Sequence, residues 1–315
     1  MRRPCRRTAT FTGSGACRKG PTVPMPSPEP LEIRRGPFVA RFAPQNGGRM
    51  THLRHAAMGD ILVPTPDASF DPLYWPKAGA YPLFPYHNRL IGAAFVHEGR
   101  RYLVKAHPAL GTDAVHGPAH RRPWHVISRG DDRLVLALDY QADEDWPFDF
   151  RATQAFRLHP DGLEVVLTLG NTGRENMPSG FGWHPYFAAG LGKQVFCDAA
   201  KRWPLDAVGI PSGVPPEARA GNEPFPDEAF TEHLSEWSRA AAVLDGGAQI
   251  TLAADWALPH LVAHRMPSYI CLEPVSHVAG AFGFPPHSRA ETGLRIQAPG
   301  EERSARISLR MTAKT

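Results

Sequence analysis

The chain has no apolar run approaching the ~20 residues that span a bilayer, which excludes a helical integral membrane protein. It has no segment with a sustained apolar stripe at 3.6-residue spacing, which disfavours helical bundles, coiled coils and helical repeats. Cysteine is scarce, four among 315 residues. No Cys-x-x-Cys occurs, so neither a zinc ribbon nor a thioredoxin-like redox site is indicated. Two of the four, Cys5 and Cys17, lie near the N-terminus, which leaves the well-separated Cys197 and Cys271. Two distant thiols fit a reducing, cytoplasmic setting, although one disulfide is compatible with the sequence. No His-Glu-x-x-His occurs among the 15 histidines. The close pairs His52/His55 and His116/His120 supply no set of three or four convergent ligands, so no metal site is expected.

Glycine and proline are abundant instead. The 29 glycines and 33 prolines make up about a fifth of the chain, against an average near 12%. Proline breaks helix interiors, so this density points to strands and turns. The charge is uneven. The chain has 35 basic and 31 acidic residues, but Arg2, Arg3, Arg6, Arg7, Arg18 and Lys19 crowd into a leader without acids. The remainder is slightly acidic, so the pI near 9.0 belongs to the leader and no nucleic-acid footprint marks the body. The leader lacks the apolar stretch of a secretory signal. It loosely fits a transit peptide or a basic arm, but an upstream start, with Met25 as the native one, is the favoured reading. Residues 1–30 are expected to form a disordered basic, proline-rich lead-in, and 31–315 a single domain.

Strand signals recur through the body. Leu134, Leu136 and Leu138 alternate with other residues, as do Ile307, Leu309 and Met311, the period of a half-buried strand. Residues 153–158 and 163–169 flank His159-Pro160-Asp161-Gly162, a hairpin turn in which Pro presets φ and Gly accepts φ > 0. The stretch from Asp227 to Trp237 is expected to hold a turn of helix, and 200–230 reads as a surface excursion. A strand series without βα alternation predicts an all-β, antiparallel sandwich.

Three runs carry candidate chemistry. In Tyr81–Phe95, prolines stiffen the chain ahead of Asn88 and Arg89, whose planar fork suits oxygen-rich ligands or a structural carboxylate. In Gly180–Phe187, Pro185 forces the preceding His184 into extended backbone. Trp183, Tyr186 and Phe187 there offer flat surfaces for a sugar ring or for a core. In Tyr269–Pro274, an apolar strand ends at Glu273. A buried carboxylate there is either a paired structural charge or a tuned base.

Together these runs resemble the aldose 1-epimerase (galactose mutarotase) family over roughly 37–312. The matching elements are Asn88-Arg89-Leu90-Ile91-Gly92-Ala93-Ala94-Phe95, His116-Gly117 followed by Trp124, Gly180–Phe187, Glu273 in Cys-Leu-Glu-Pro, and Gly293-Leu294 with Pro299-Gly300-Glu301. The resemblance implies a large galactose mutarotase-like β-sandwich (a supersandwich) with a sugar cleft, present as a monomer or homodimer. It implies Glu273 as the base at the anomeric hydroxyl and His184 as the acid at the ring oxygen. Arg89, Asn88, His116, Trp183 and Tyr186 would bind sugar, with no cofactor, nucleic acid or membrane partner. Two departures stand out: His87 replaces a frequent serine before Asn88, and Glu232 is an imperfectly aligned candidate for the family's acidic sugar-binding residue. The run associated with hexose-6-phosphate relatives is absent. The implied activity is anomer interconversion of a free aldose of the glucose or galactose type. A non-catalytic sugar-binding protein on the same fold is the alternative. A glycosidase or lyase fits less well, because glycosidases use two placed carboxylates.

Overall fold

A computed structural model describes residues 31–66, 70–191, 194–244, 248–285 and 289–312. The leader, with Cys5, Cys17 and Met25, lies outside them. Among the described residues, two large antiparallel sheets dominate, one of eleven strands and one of eight. The one α-helix is the single turn Arg289–Thr292. No described helix is long and apolar enough to cross a membrane.

The alternating sequence patterns become the eight-stranded sheet. Phe150–His159 and Gly162–Asn171 pair antiparallel with His159 opposite Gly162, the hairpin expected from Pro160-Asp161. Along the first strand Phe150, Ala152, Gln154, Phe156 and Leu158 are buried in strict alternation. Leu134 and Leu136 continue that face on the neighbouring strand, and Ile307 and Leu309 do so on Glu302–Thr312. Each of these Phe, Leu and Ile side chains contributes about 1.5–3 kcal/mol when fully buried. Together with Trp183, Phe187, Leu261 and Leu272 of the other sheet they form one continuous core.

One segment departs from expectation. Residues Phe230–Ser235 form a strand paired with His260–Met266, not a helical turn. Buried His233 and Leu234 find cross-strand partners there, which local propensity does not register. The 200–230 excursion is largely exposed, though Trp203, Ile210 and Phe225 pin it to the body.

The eleven-stranded sheet positions the site. Its middle runs, in spatial order, through Arg49–His55, Ala80–Leu83, Gly182–Ala188, Tyr269–Val275, His260–Met266 and Phe230–Ser235. Successive side chains on each strand face opposite ways. One face packs into the main core. The other gathers Trp75, Tyr81, Leu83, Tyr186, Val262, Cys271 and Val275 into a second, smaller cluster.

Candidate active site

On that second face the register draws one residue from each strand into a transverse row. Tyr81 pairs with His184. His184 lies across from Glu273, because Gly182 pairs with Val275 and Tyr186 with Cys271. Glu273 pairs with Val262, and Val262 with His233. Arg49 extends the row, with its guanidinium carbon 4.6 Å from the Tyr81 ring centroid. The expected catalytic pair is thus assembled by strand pairing across 89 residues of sequence.

His184 Nε2 stands 3.3 Å from Glu273 Oε1. Both residues are buried, at 6% and 4% exposure. Neither His184 Nδ1 nor Glu273 Oε2 has a hydrogen-bond partner within the protein. The His184 ring is clamped between aromatic neighbours, with Tyr81 and Tyr186 each 4.6 Å away between centroids. Tyr186 is therefore at the site, but as a buried support (2% exposed). Burial raises the Glu273 carboxyl to about 8, with Lys77 pulling it the other way. Burial also holds His184 well below the usual imidazole value, helped by the nearby His116, Lys77, His264 and Arg49. Desolvation penalises a charge on either partner, so the resting pair keeps its shared proton on the carboxyl.

The run around Asn88 builds the adjoining wall. Arg89–Leu90 pairs with Ala114–Val115, which brings Asn88 beside His116. The two lock reciprocally: His116 N–H donates to the Asn88 carbonyl (3.0 Å), and Asn88 N–H donates to His116 Nδ1 (3.1 Å). An accepting Nδ1 leaves Nε2 as the protonated nitrogen of the neutral ring. Burial lowers His116 to about 3, so the ring is a neutral donor at ordinary pH. Gly117, at φ +66°, makes the turn possible, since a Cβ there would lie 2.2 Å from the Phe84 carbonyl oxygen. Arg89 is held by Asp113 at 3.3 Å.

Asn88, Arg89 and His116 line a cleft of ≈ 440 Å³ together with Trp75, Lys77 and His107. His116 joins the cleft to the pair, its ring centroid 5.4 Å from that of His184. Two expected sugar-binding residues face elsewhere. Trp183, one residue from His184, points into the main core and is wholly buried. Glu232 is one residue from His233 and so lies on the opposite sheet face from Glu273. Its carboxylate meets Arg202 at 3.2 Å and Arg219 at 3.8 Å. Strand alternation decides both cases. His87 does not line the cleft either; it is buried against His277, with ring centroids 4.5 Å apart.

Sequence reading missed Lys77, Trp75, Arg49 and Cys271 as neighbours of the pair. Only Cys271 left a signal, since it lies two residues before Glu273 and a strand puts i and i+2 on one face. Donor atoms of His184, Cys271 and Glu273 lie within 4.8 Å of one another, a possible metal-ligand set. Burial, however, raises the Cys271 thiol and the Glu273 carboxyl. A cation would have to displace both protons beside the Lys77 ammonium. Cys197 and Cys271 are both free and buried, so the possible disulfide is not formed.

The chain matches the aldose 1-epimerase family over residues 32–310. It is 29% identical over 252 residues to the uncharacterized protein YphB of Escherichia coli K12, covering 74% of this chain and 84% of that one. A galactose mutarotase-like protein from Clostridium acetobutylicum superposes with TM-score 0.79 at 20% identity, over 90% of this chain and 95% of that one. A galactose 1-epimerase from Lactobacillus acidophilus gives TM-score 0.65 at 12% identity, over 90% and 93%. These structures establish a common fold. The family match covers most of the chain, which therefore belongs to the aldose 1-epimerase family.

Proposed function

We propose that this member of the aldose 1-epimerase family interconverts the α and β anomers of a free aldose by acid–base ring opening and reclosure. The observation that carries the reading is the buried His184–Glu273 contact at 3.3 Å, beside a cleft lined by Asn88, Arg89 and His116.

Ring opening removes one proton from the anomeric hydroxyl and places one on the ring oxygen. Rotation about C1–C2 then exchanges the faces of the aldehyde, and reclosure returns both protons. The net proton balance is zero, so a pair that shares one proton suffices. In the resting pair that proton lies on Glu273. Passing it to His184 creates the working form, in which Glu273 is the base and His184 the acid. The positive charge of Lys77 favours the carboxylate at that moment, and the hydroxyl's hydrogen bond adds to this. His116 contributes a neutral N–H toward the sugar oxygens. Groups acting in this way each contribute about 10²–10⁴-fold.

Polarimetry of freshly dissolved α-D-glucose and α-D-galactose tests the reading. Wild type is expected to speed equilibration, with kcat lowered about 10²–10⁴-fold in Glu273→Gln and in His184→Asn. The double variant should be little worse than either single one, because the two act as a unit. Acceleration that survives both substitutions would sink the assignment of the pair. Sugar binding without any acceleration would favour the sugar-binding alternative.

A further inference from the structure

The side chains lining the cleft are unevenly supplied with hydrogen-bonding groups. A neutral aldose presents hydroxyls, each a donor and an acceptor, so a matching site offers both. Here the groups left for a ligand are almost all donors. Lys77 contributes an ammonium whose nitrogen lies 5.1 Å from the Trp75 ring centroid, and no described carboxylate pairs with it. Arg89 spends one nitrogen on Asp113 and keeps its others. Asn88 spends its side-chain Oδ1 on the Arg89 backbone N–H, which leaves the side-chain amide nitrogen. His116 presents Nε2–H, since its Nδ1 accepts from Asn88.

The possible acceptors are used elsewhere. Asp113 gives one oxygen to Arg89 and the other to the Gly92 N–H. Both ring nitrogens of His107 are engaged, with the Leu73 carbonyl and the Ala109 N–H. Glu232 faces away, bound by two arginines. Among the described side chains of this wall, the Tyr74 hydroxyl is the remaining acceptor, and Glu273 is reserved for the reaction. Such a wall suits a ligand with an acceptor-only group. Among the side chains that line the cleft the surplus is a single ammonium, because the charge of Arg89 is already matched by Asp113. One unmatched positive charge fits a monoanion better than a phosphate dianion.

We propose that the aldose taken by this site carries a carboxylate, as a hexuronate does, and that Lys77 receives that carboxylate while the anomeric end meets His184 and Glu273. The inference rests on the cleft being the sugar site of the proposed mutarotase. Lys77 is well placed for the task. Lys77 and His116 line the same cleft, and the His116 ring lies 5.4 Å from that of His184, so the ammonium shares the cleft with the residue that borders the pair. Trp75 backs it with an aromatic face, which favours the cation.

Calorimetric titration of the Glu273→Gln variant separates this inference from the catalytic one, because binding is read without turnover. The probes are D-glucuronate and D-galacturonate, each against its neutral hexose, together with D-glucose 6-phosphate. The expected result is a preference of about ten-fold for each hexuronate over its hexose, the scale of one charge-assisted hydrogen bond. Raising the salt concentration should shrink that ratio. In the Glu273→Gln background, Lys77→Met should bring it close to one, and Lys77→Arg should retain most of it. Equal affinity for hexuronate and hexose, or a preference that survives Lys77→Met, would overturn the proposal. Tighter binding of the phosphorylated sugar than of either hexuronate would overturn the carboxylate assignment. Polarimetry of the wild-type protein with the same sugars stands apart: Lys77-dependent binding without acceleration would defeat the mutarotase reading alone. Binding of none of the sugars would defeat the cleft as a sugar site, and this inference with it.

Discussion

His184 and Glu273 face each other across two antiparallel strands, His184 Nε2 3.3 Å from Glu273 Oε1, with the His184 ring held between Tyr81 and Tyr186. The sheet register fixes this separation, and neither side chain sits on a loop that must close to bring them together. Strands hold such a geometry more tightly than loops do. Burial then makes the neutral, one-proton pair the resting state.

That state sets a pH profile. The pair loses its proton as pH rises through about 8, the value to which burial lifts Glu273. It gains a second proton only well below the ordinary imidazole value, because His184 is held down. Mutarotation rates should therefore be flat through neutrality, fall above about pH 8, and fall again only at distinctly acid pH. Polarimetric rates across pH 4–9 or wider, where the sugar's own buffer-catalysed rate is subtracted, check this. A rate that climbs through pH 8 would contradict the one-proton pair.

The same burial has a thermodynamic cost. In the unfolded chain Glu273 ionises near its ordinary 4.5, but in the folded protein near 8. Folding favours the protonated form, so the stability contribution is full below about 4.5 and is lost as pH rises through 8. Glu273→Gln removes that loss. Its stability should match wild type near pH 4.5 and exceed it increasingly up to pH 8, by an amount on the order of a few kcal/mol, with its melting temperature rising above wild type in step. Thermal melts of both proteins at the two pH values would show it, and an unchanged gap would argue against a desolvated carboxyl.

Glu232 supplies a test of the sheet's two faces. Its carboxylate serves Arg202 and the nearly buried Arg219, away from the cleft. Glu232→Gln should lower stability by about 1 kcal/mol while leaving kcat/KM within about two-fold of wild type. A large rise in KM with unchanged melting temperature would place Glu232 at the sugar after all.

Gly117 underlies the position of His116. Alanine at φ +66° is strained, and its Cβ would meet the Phe84 carbonyl oxygen at 2.2 Å. Gly117→Ala should cost about 2 kcal/mol or more. It should also lower activity by displacing His116 from the Asn88 backbone. Melting temperature and polarimetry measured on the same preparation test both consequences.

Much of this was legible in the residues. The Leu134–Leu138 alternation and the Pro160-Asp161-Gly162 turn foretold strands and a hairpin that the structure contains, because period and turn chemistry are local properties. The family's elements were legible because their residues are contiguous in the chain. The helical turn at Asp227–Trp237 was misread, since the partners that make it a strand lie some thirty residues away. Trp183 and Glu232 were read as sugar contacts from their place in a motif. Motif position does not reveal which face of a sheet a residue occupies, and one step along a strand reverses it.

By itself, the sequence determined the class of fold and the hairpin at Pro160-Asp161-Gly162, because these follow from side-chain period and turn residues, while the resemblance of its contiguous motifs to the family's implied the candidate acid and base. Tertiary structure alone decided which residues share the row with His184 and Glu273. Arg49, Tyr81 and Val262 reach it through strand pairings fixed by burial of the opposite face, and Lys77 arrives on the segment that covers it. Burial likewise decided that the pair rests neutral, since desolvation depends on everything packed around a group and not on the group's neighbours in the chain.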